Sequence, residues 1–157
     1  MTPPLDLNNP NHVTAIIVVT TEIILFCLLL LARYNARRLK INQHHKYVYT
    51  AVLVNSIIIL TWMLPVELRL INNILAGKTD PFKFWYYILH GFFGTIAILL
   101  GIFLCLVFLI KILKQDLIPL PLIKRMKPLM ITTIICWTLA FLFGILIFVN
   151  KYLVSIF

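Results

Sequence analysis

The chain has 157 residues, 62% of them hydrophobic, and a formal charge of +9. Its mean hydropathy of +1.00 is far from that of soluble domains, and too little chain lies between its apolar stretches for a separate catalytic domain. Nucleic acid is not the implied partner, because the basic residues flank apolar stretches instead of forming a patch interleaved with stacking aromatics.

The first twelve residues, MTPPLDLNNPNH, carry no cationic run, so a cleaved signal peptide is not expected. A first membrane span is predicted over about 13–32, after Pro10 and Asn11, closed by the basic cluster Arg33, Arg37, Arg38 and Lys40. A second span over about 47–64 is expected to end at Pro65. Beyond it, Val66, Leu70, Ile71, Ile74 and Leu75 recur at helical spacing among charged and amide residues. That pattern predicts a short interfacial helix closed by Gly77, lying flat on the outer surface. A third span follows Asp80 and Pro81 and occupies about 84–110. A fourth, about 128–150, is expected to start at Pro128, since proline suits a first helical turn.

Charge asymmetry orients these spans. Arg33, Arg37, Arg38, Lys40, Lys46, Lys111, Lys114, Lys124, Arg125 and Lys127 fall on one side, against Arg69, Lys78, Lys83 and Lys151 on the other. The positive-inside rule then places both basic loops in the cytoplasm and both termini outside a cell membrane. Trp62, Trp85, Tyr86, Tyr87 and Tyr152 mark the outer interface, and Tyr34, Tyr47 and Tyr49 the inner one. The expected fold is a single all-α domain, 1–157, an antiparallel bundle of four transmembrane helices.

Few residues in the lipid zone carry chemistry. Glu22 lies roughly 15 Å into span one at about 1.5 Å per residue. An ionised carboxylate there is costly, so it is expected to be protonated or paired with His90, Asn55, Thr95 or Trp137, which lie at overlapping depths. It is read equally as a proton relay or cofactor contact and as interhelical hydrogen-bond glue. Asn55 and Ser56 in span two, and Thr132, Thr133 and Thr138 in span four, are expected to bond to backbone or a neighbouring helix. His90, Gly94, Ala97, Gly101 and Cys105 form a small-residue stripe on span three that lets another helix approach closely. Cys27, Cys105 and Cys136 all lie in spans without CxxC spacing and are read as packing residues.

His90 and His12 are placed near the outer mouth, where two imidazoles from facing helices would suit haem, or one with the Met63 thioether would suit copper. His44 and His45 start span two at the inner side; adjacent residues point apart, so a relay with a ligand pair at each level is not expected. The simpler reading of His90 is a hydrogen-bonded interior residue. Nothing in the chain has the pattern of a P-loop, a zincin helix, a nucleophile elbow or a paired carboxylate site, so no catalytic residues are assigned.

Three segments carry a likeness to a known family: INQHHKYVYTAVLVNSIIIL opening span two, YYILHGFFGTIAI with a histidine early in span three, and RMKPLMITTIICWTLAFLFGILIFVNKYL, where span four follows a basic turn. Over residues 41–152 they resemble the small four-helix membrane family of the YozB/CtaM type, associated with maturation of haem-copper oxidases. In that resemblance His90 and one of His44 or His45 correspond to family histidines. Further histidines expected near the end of span two and before span four are replaced here by WMLPVE and LIKRMK.

The function expected is a non-catalytic accessory or assembly subunit within a larger respiratory or copper-dependent membrane complex, a haem-copper oxidase or copper monooxygenase, with other integral membrane subunits as partners. The alternative is a haem or copper carrier, or small b-type cytochrome, using His90 with His12 or His44. A transporter built around Glu22 ranks behind both, for want of an internal repeat or broken helix.

Overall fold

A computed structural model of the chain describes residues 10–78, 85–113 and 120–153, all of them in helices or the turns that close them. Helix α1 spans Pro10–Arg37 and α2 spans Ile41–Ile58. A π-helical turn, Ile59–Met63, leads directly into α3, Leu64–Leu75; α4 is Trp85–Leu113, and α5, Leu120–Phe148, runs into a second π turn, Val149–Leu153. Among the described residues, four stretches are long and apolar enough to cross a membrane: 12–37, 41–75, 85–110 and 126–151. At most 22% of each span's most apolar window is buried inside the bundle. Most of the apolar surface, including Ile17, Leu53, Leu60, Phe92, Leu99 and Ile135, therefore faces outward, as a lipid-embedded bundle requires.

The α1–α2 connection is a tight turn. The Arg38 and Lys40 amides both bond to the Asn35 carbonyl, at 3.1 and 3.0 Å, and Leu39 takes the left-handed conformation at φ 59°. The first turn of α2 folds back on the end of α1, where His44 Nδ1 lies 3.0 Å from the Ala32 carbonyl. In the same way the start of α4 meets the later part of α5, and α4 and α5 form the most extensive helix pair.

The two hairpins meet along a seam whose half nearest the basic connections is tightly filled. Leu25, Ala51, Val52, Ala97, Ile98, Cys136 and Trp137 form the core there. The small-residue stripe on α4 is turned into this seam. Ala97 is buried, and a Cβ at Gly101 would lie 3.2 Å from Val52 Cγ2, so glycine is what lets α2 approach α4 so closely. Cys27, Cys105 and Cys136 are all free.

Two expected boundaries are corrected. Span two does not stop at Pro65: Met63 and Leu64 keep right-handed helical backbone, and the chain stays helical to Leu75. Proline has no amide to donate and its ring crowds the carbonyl four residues back, so a helix passes it only by a local change of register. The π turn immediately before Pro65 supplies that change. The predicted closure at Gly77 is present, with φ 66° and the Gly77 and Lys78 amides bonded to the Ile74 and Asn73 carbonyls. Likewise Pro128 lies inside α5, which begins at Leu120, and Pro121 takes the first-turn position instead. The expected start of span three at Asp80 and Pro81 lies outside the described residues.

Candidate functional site: a polar cavity between the hairpins

Towards the end of the bundle away from the basic connections, the seam opens into a cavity of about 210 Å³. All four spans contribute to it, and both π turns border it through Ile59, Trp62, Met63 and Lys151. Its walls are mostly apolar, with polar side chains converging from different helices, the usual make-up of a ligand site.

From α1, Glu22 reaches the cavity and its carboxylate accepts a hydrogen bond from the Trp137 indole on α5. From α2 comes Asn55, only 6% exposed, whose Oδ1 has no hydrogen-bond partner. From α3, Glu67 lays its carboxylate over Gly91 of α4; a Cβ there would stand 2.6 Å from the carboxyl carbon, so only glycine admits the carboxylate at this point. His90 on α4 pairs with the Ala140 carbonyl of α5 through Nδ1 at 2.8 Å. A carbonyl only accepts, so Nδ1 carries a proton, and in the neutral form of the ring Nε2 keeps its lone pair. Gly144 makes room for that imidazole: a Cβ there would fall 3.1 Å from His90 Cε1.

The four partners expected for Glu22 at its depth, His90, Asn55, Thr95 and Trp137, all line this cavity with it, and the hydrogen bond is made by Trp137. Gly94 and Ala97 line it as well, while Gly101 packs against Val52 nearer the basic end. His12 lies one turn before Ala15, outside the lining, and makes an interaction of its own. His44 is remote. Its neighbour His45 stacks edge-on against Phe108 at 5.0 Å, and Phe108 is about 27 Å along α4 from His90 at about 1.5 Å per residue.

Those positions test the haem and copper expectation. His44 and His90 stand near opposite ends of α4, too far apart to ligate one haem iron. Among the described residues no three His, Cys, Asp or Glu side chains converge to hold a metal ion. The described residues therefore do not fit a haem held between His90 and His44.

Residues that the sequence reading passed over are Glu67, Gly91 and Gly144, while Tyr87 and Lys151, read there as interface and loop residues, also line the cavity. A signal for Glu67 existed: Ile59, Met63, Val66 and Glu67 follow helical spacing straight across Pro65, and all four line the cavity.

By fold and site the molecule is a four-span membrane protein with a polar cavity in its bundle. Compared with known proteins, the chain matches no family model, no curated protein and no solved structure.

Proposed function

We propose that this chain is a non-catalytic accessory or assembly subunit of a larger respiratory or copper-dependent membrane enzyme, of the haem-copper oxidase or copper monooxygenase kind, and that its contribution is the cavity. The observation carrying this reading is the convergence of Glu22, Asn55, Glu67 and His90 on one space inside a mostly apolar bundle. Polar groups in the lipid zone are expensive and are kept where they handle something. Three glycines of the lining, Gly91, Gly94 and Gly144, stand where side chains from neighbouring helices meet α4 or α5, which supports a bundle built around that space.

The topology belonging to this reading is an antiparallel up-down-up-down bundle with both termini outside. It is supported by the contact of His44 with Ala32, of His45 with Phe108 and of His90 with Ala140, each joining the start of one helix to the later part of its neighbour. With the basic connections in the cytoplasm, the cavity lies in the outward half, and α3 stands at its mouth. The host complex itself rests on the family resemblance of residues 41–152.

Purification from native membranes in mild detergent, followed by native electrophoresis and subunit identification, tests the proposal. The chain is expected to migrate with a multi-subunit oxidase or monooxygenase. Migration only as the free chain, under detergents that keep such complexes intact, refutes the accessory role.

A further inference from the structure

We infer that the cavity is a binding site for a small monovalent ammonium-type cation, a primary amine in its protonated form. The inference deepens the reading of the cavity as the working part of the protein and rests on it.

Hydrogen-bond supply decides the class of ligand. Glu22 and Glu67, when ionised, offer carboxylate oxygens, Asn55 offers Oδ1, and a neutral His90 offers Nε2 once its Nδ1 is spent on Ala140; these acceptors stand beside the donors of the Asn55 amide, Thr95, Tyr87 and Lys151. The Trp137 indole is already given to Glu22. Asn55 is the independent sign of a missing partner. It is 94% buried by the complement of its 6% exposure, lines the cavity, and has an unpaired oxygen, an arrangement that is costly unless something donates to it.

Charge sets the valence. Two carboxylates and one ammonium, that of Lys151, line the space. One net negative charge remains when both carboxylates are ionised, which a monocation neutralises. A hard divalent ion would need six or more oxygen ligands, whereas most of this wall is apolar or aromatic, including Trp62, Trp137 and Phe141. Aromatic faces attract an ammonium group and accept its alkyl body. The volume equals roughly seven waters at about 30 Å³ each, which admits a short-chain amine. A neutral quinol could also donate to these acceptors, but it carries no charge for an ionised carboxylate or an aromatic face to attract.

The test uses the full chain in lipid nanodiscs, titrated with n-butylammonium, n-butanol, potassium and a short-chain ubiquinol. Fluorescence of Trp62 and Trp137 and native mass spectrometry provide the readouts. Saturable one-to-one binding of n-butylammonium alone is expected, weakened by about tenfold or more in Glu67→Gln and in Asn55→Leu, the range for loss of a hydrogen bond to a charged group. Asn55→Leu removes an unpaired polar atom and keeps the test alive if Glu67→Gln misfolds. Equal binding of n-butanol, potassium or ubiquinol overturns the inference, and so does no binding of n-butylammonium by folded wild-type chain. Since co-migration with a host complex is read separately, failure here leaves the accessory role standing, and failure there leaves the cation site standing.

Discussion

Replacing glycine by alanine at two positions on the same face of α4 should have opposite effects on stability. At Gly94 a new Cβ would sit 3.9 Å from the Ala140 Cβ, an ordinary contact. The substitution therefore keeps the helix–helix distance and gains the lower backbone entropy of alanine, up to about 1 kcal/mol. At Gly101 the new Cβ would lie 3.2 Å from Val52 Cγ2 and 3.8 Å from Cγ1. Val52 is 6% exposed, and a β-branched side chain in a helix has essentially one rotamer, so it cannot swing away. The backbones must separate, at the 1–3 kcal/mol typical of overpacking, of which the alanine gain recovers about 1. Gly94→Ala should thus be neutral to about 1 kcal/mol more stable, and Gly101→Ala up to about 2 kcal/mol less stable. Reversible unfolding in mixed micelles, followed by tryptophan fluorescence and far-ultraviolet circular dichroism, gives both values. Equal effects, or a Gly101→Ala chain more stable than Gly94→Ala, would refute the close approach of α2 and α4 on which the filled half of the seam depends.

Trp137→Phe keeps the ring but removes the donor to Glu22, and should cost about 1.5–3 kcal/mol in the same unfolding assay; no loss would mean the Glu22–Trp137 bond is not formed. Leu39→Gly should stabilise by about 1 kcal/mol, because Leu39 holds φ 59° while 83% exposed and so has strain to lose and almost no packing. Gly144→Ala should push the His90 ring off the Ala140 carbonyl at a net cost of about 1 kcal/mol. Nitrogen-15 spectra of the imidazole would then lose the slowly exchanging Nδ1 proton that the wild-type chain shows; its survival would place the ring elsewhere.

The four apolar helices were legible because twenty or so consecutive apolar residues admit few structures in lipid. The partners of Glu22 were legible as a set from depth alone, since 1.5 Å per residue puts Asn55, His90, Thr95 and Trp137 near its level. Depth does not give azimuth, and all four spans are apolar nearly all round. The choice of Trp137 and the outward turn of Ile17, Leu53 and Leu99 therefore had no signal in the pattern. Proline misled twice: Pro65 and Pro128 were read as boundaries, but a π turn carries the chain past the first, and α5 starts eight residues before the second. The first of these misreadings separated Glu67 from the bundle and hid half of the cavity's negative charge. The pairing of His90 with His44 fails on position alone, because His44 stands at the basic end of the seam and His90 in its other half.

The most direct test of a polar cavity open from the outward side is labelling of Met63→Cys, a lining position, in a chain whose Cys27, Cys105 and Cys136 are replaced by alanine. Intact cells would be treated with a small, cationic, membrane-impermeant methanethiosulfonate. Modification from outside, slowed by n-butylammonium, is the predicted result. A folded chain modified only from the cytoplasmic side of inverted vesicles would contradict the account.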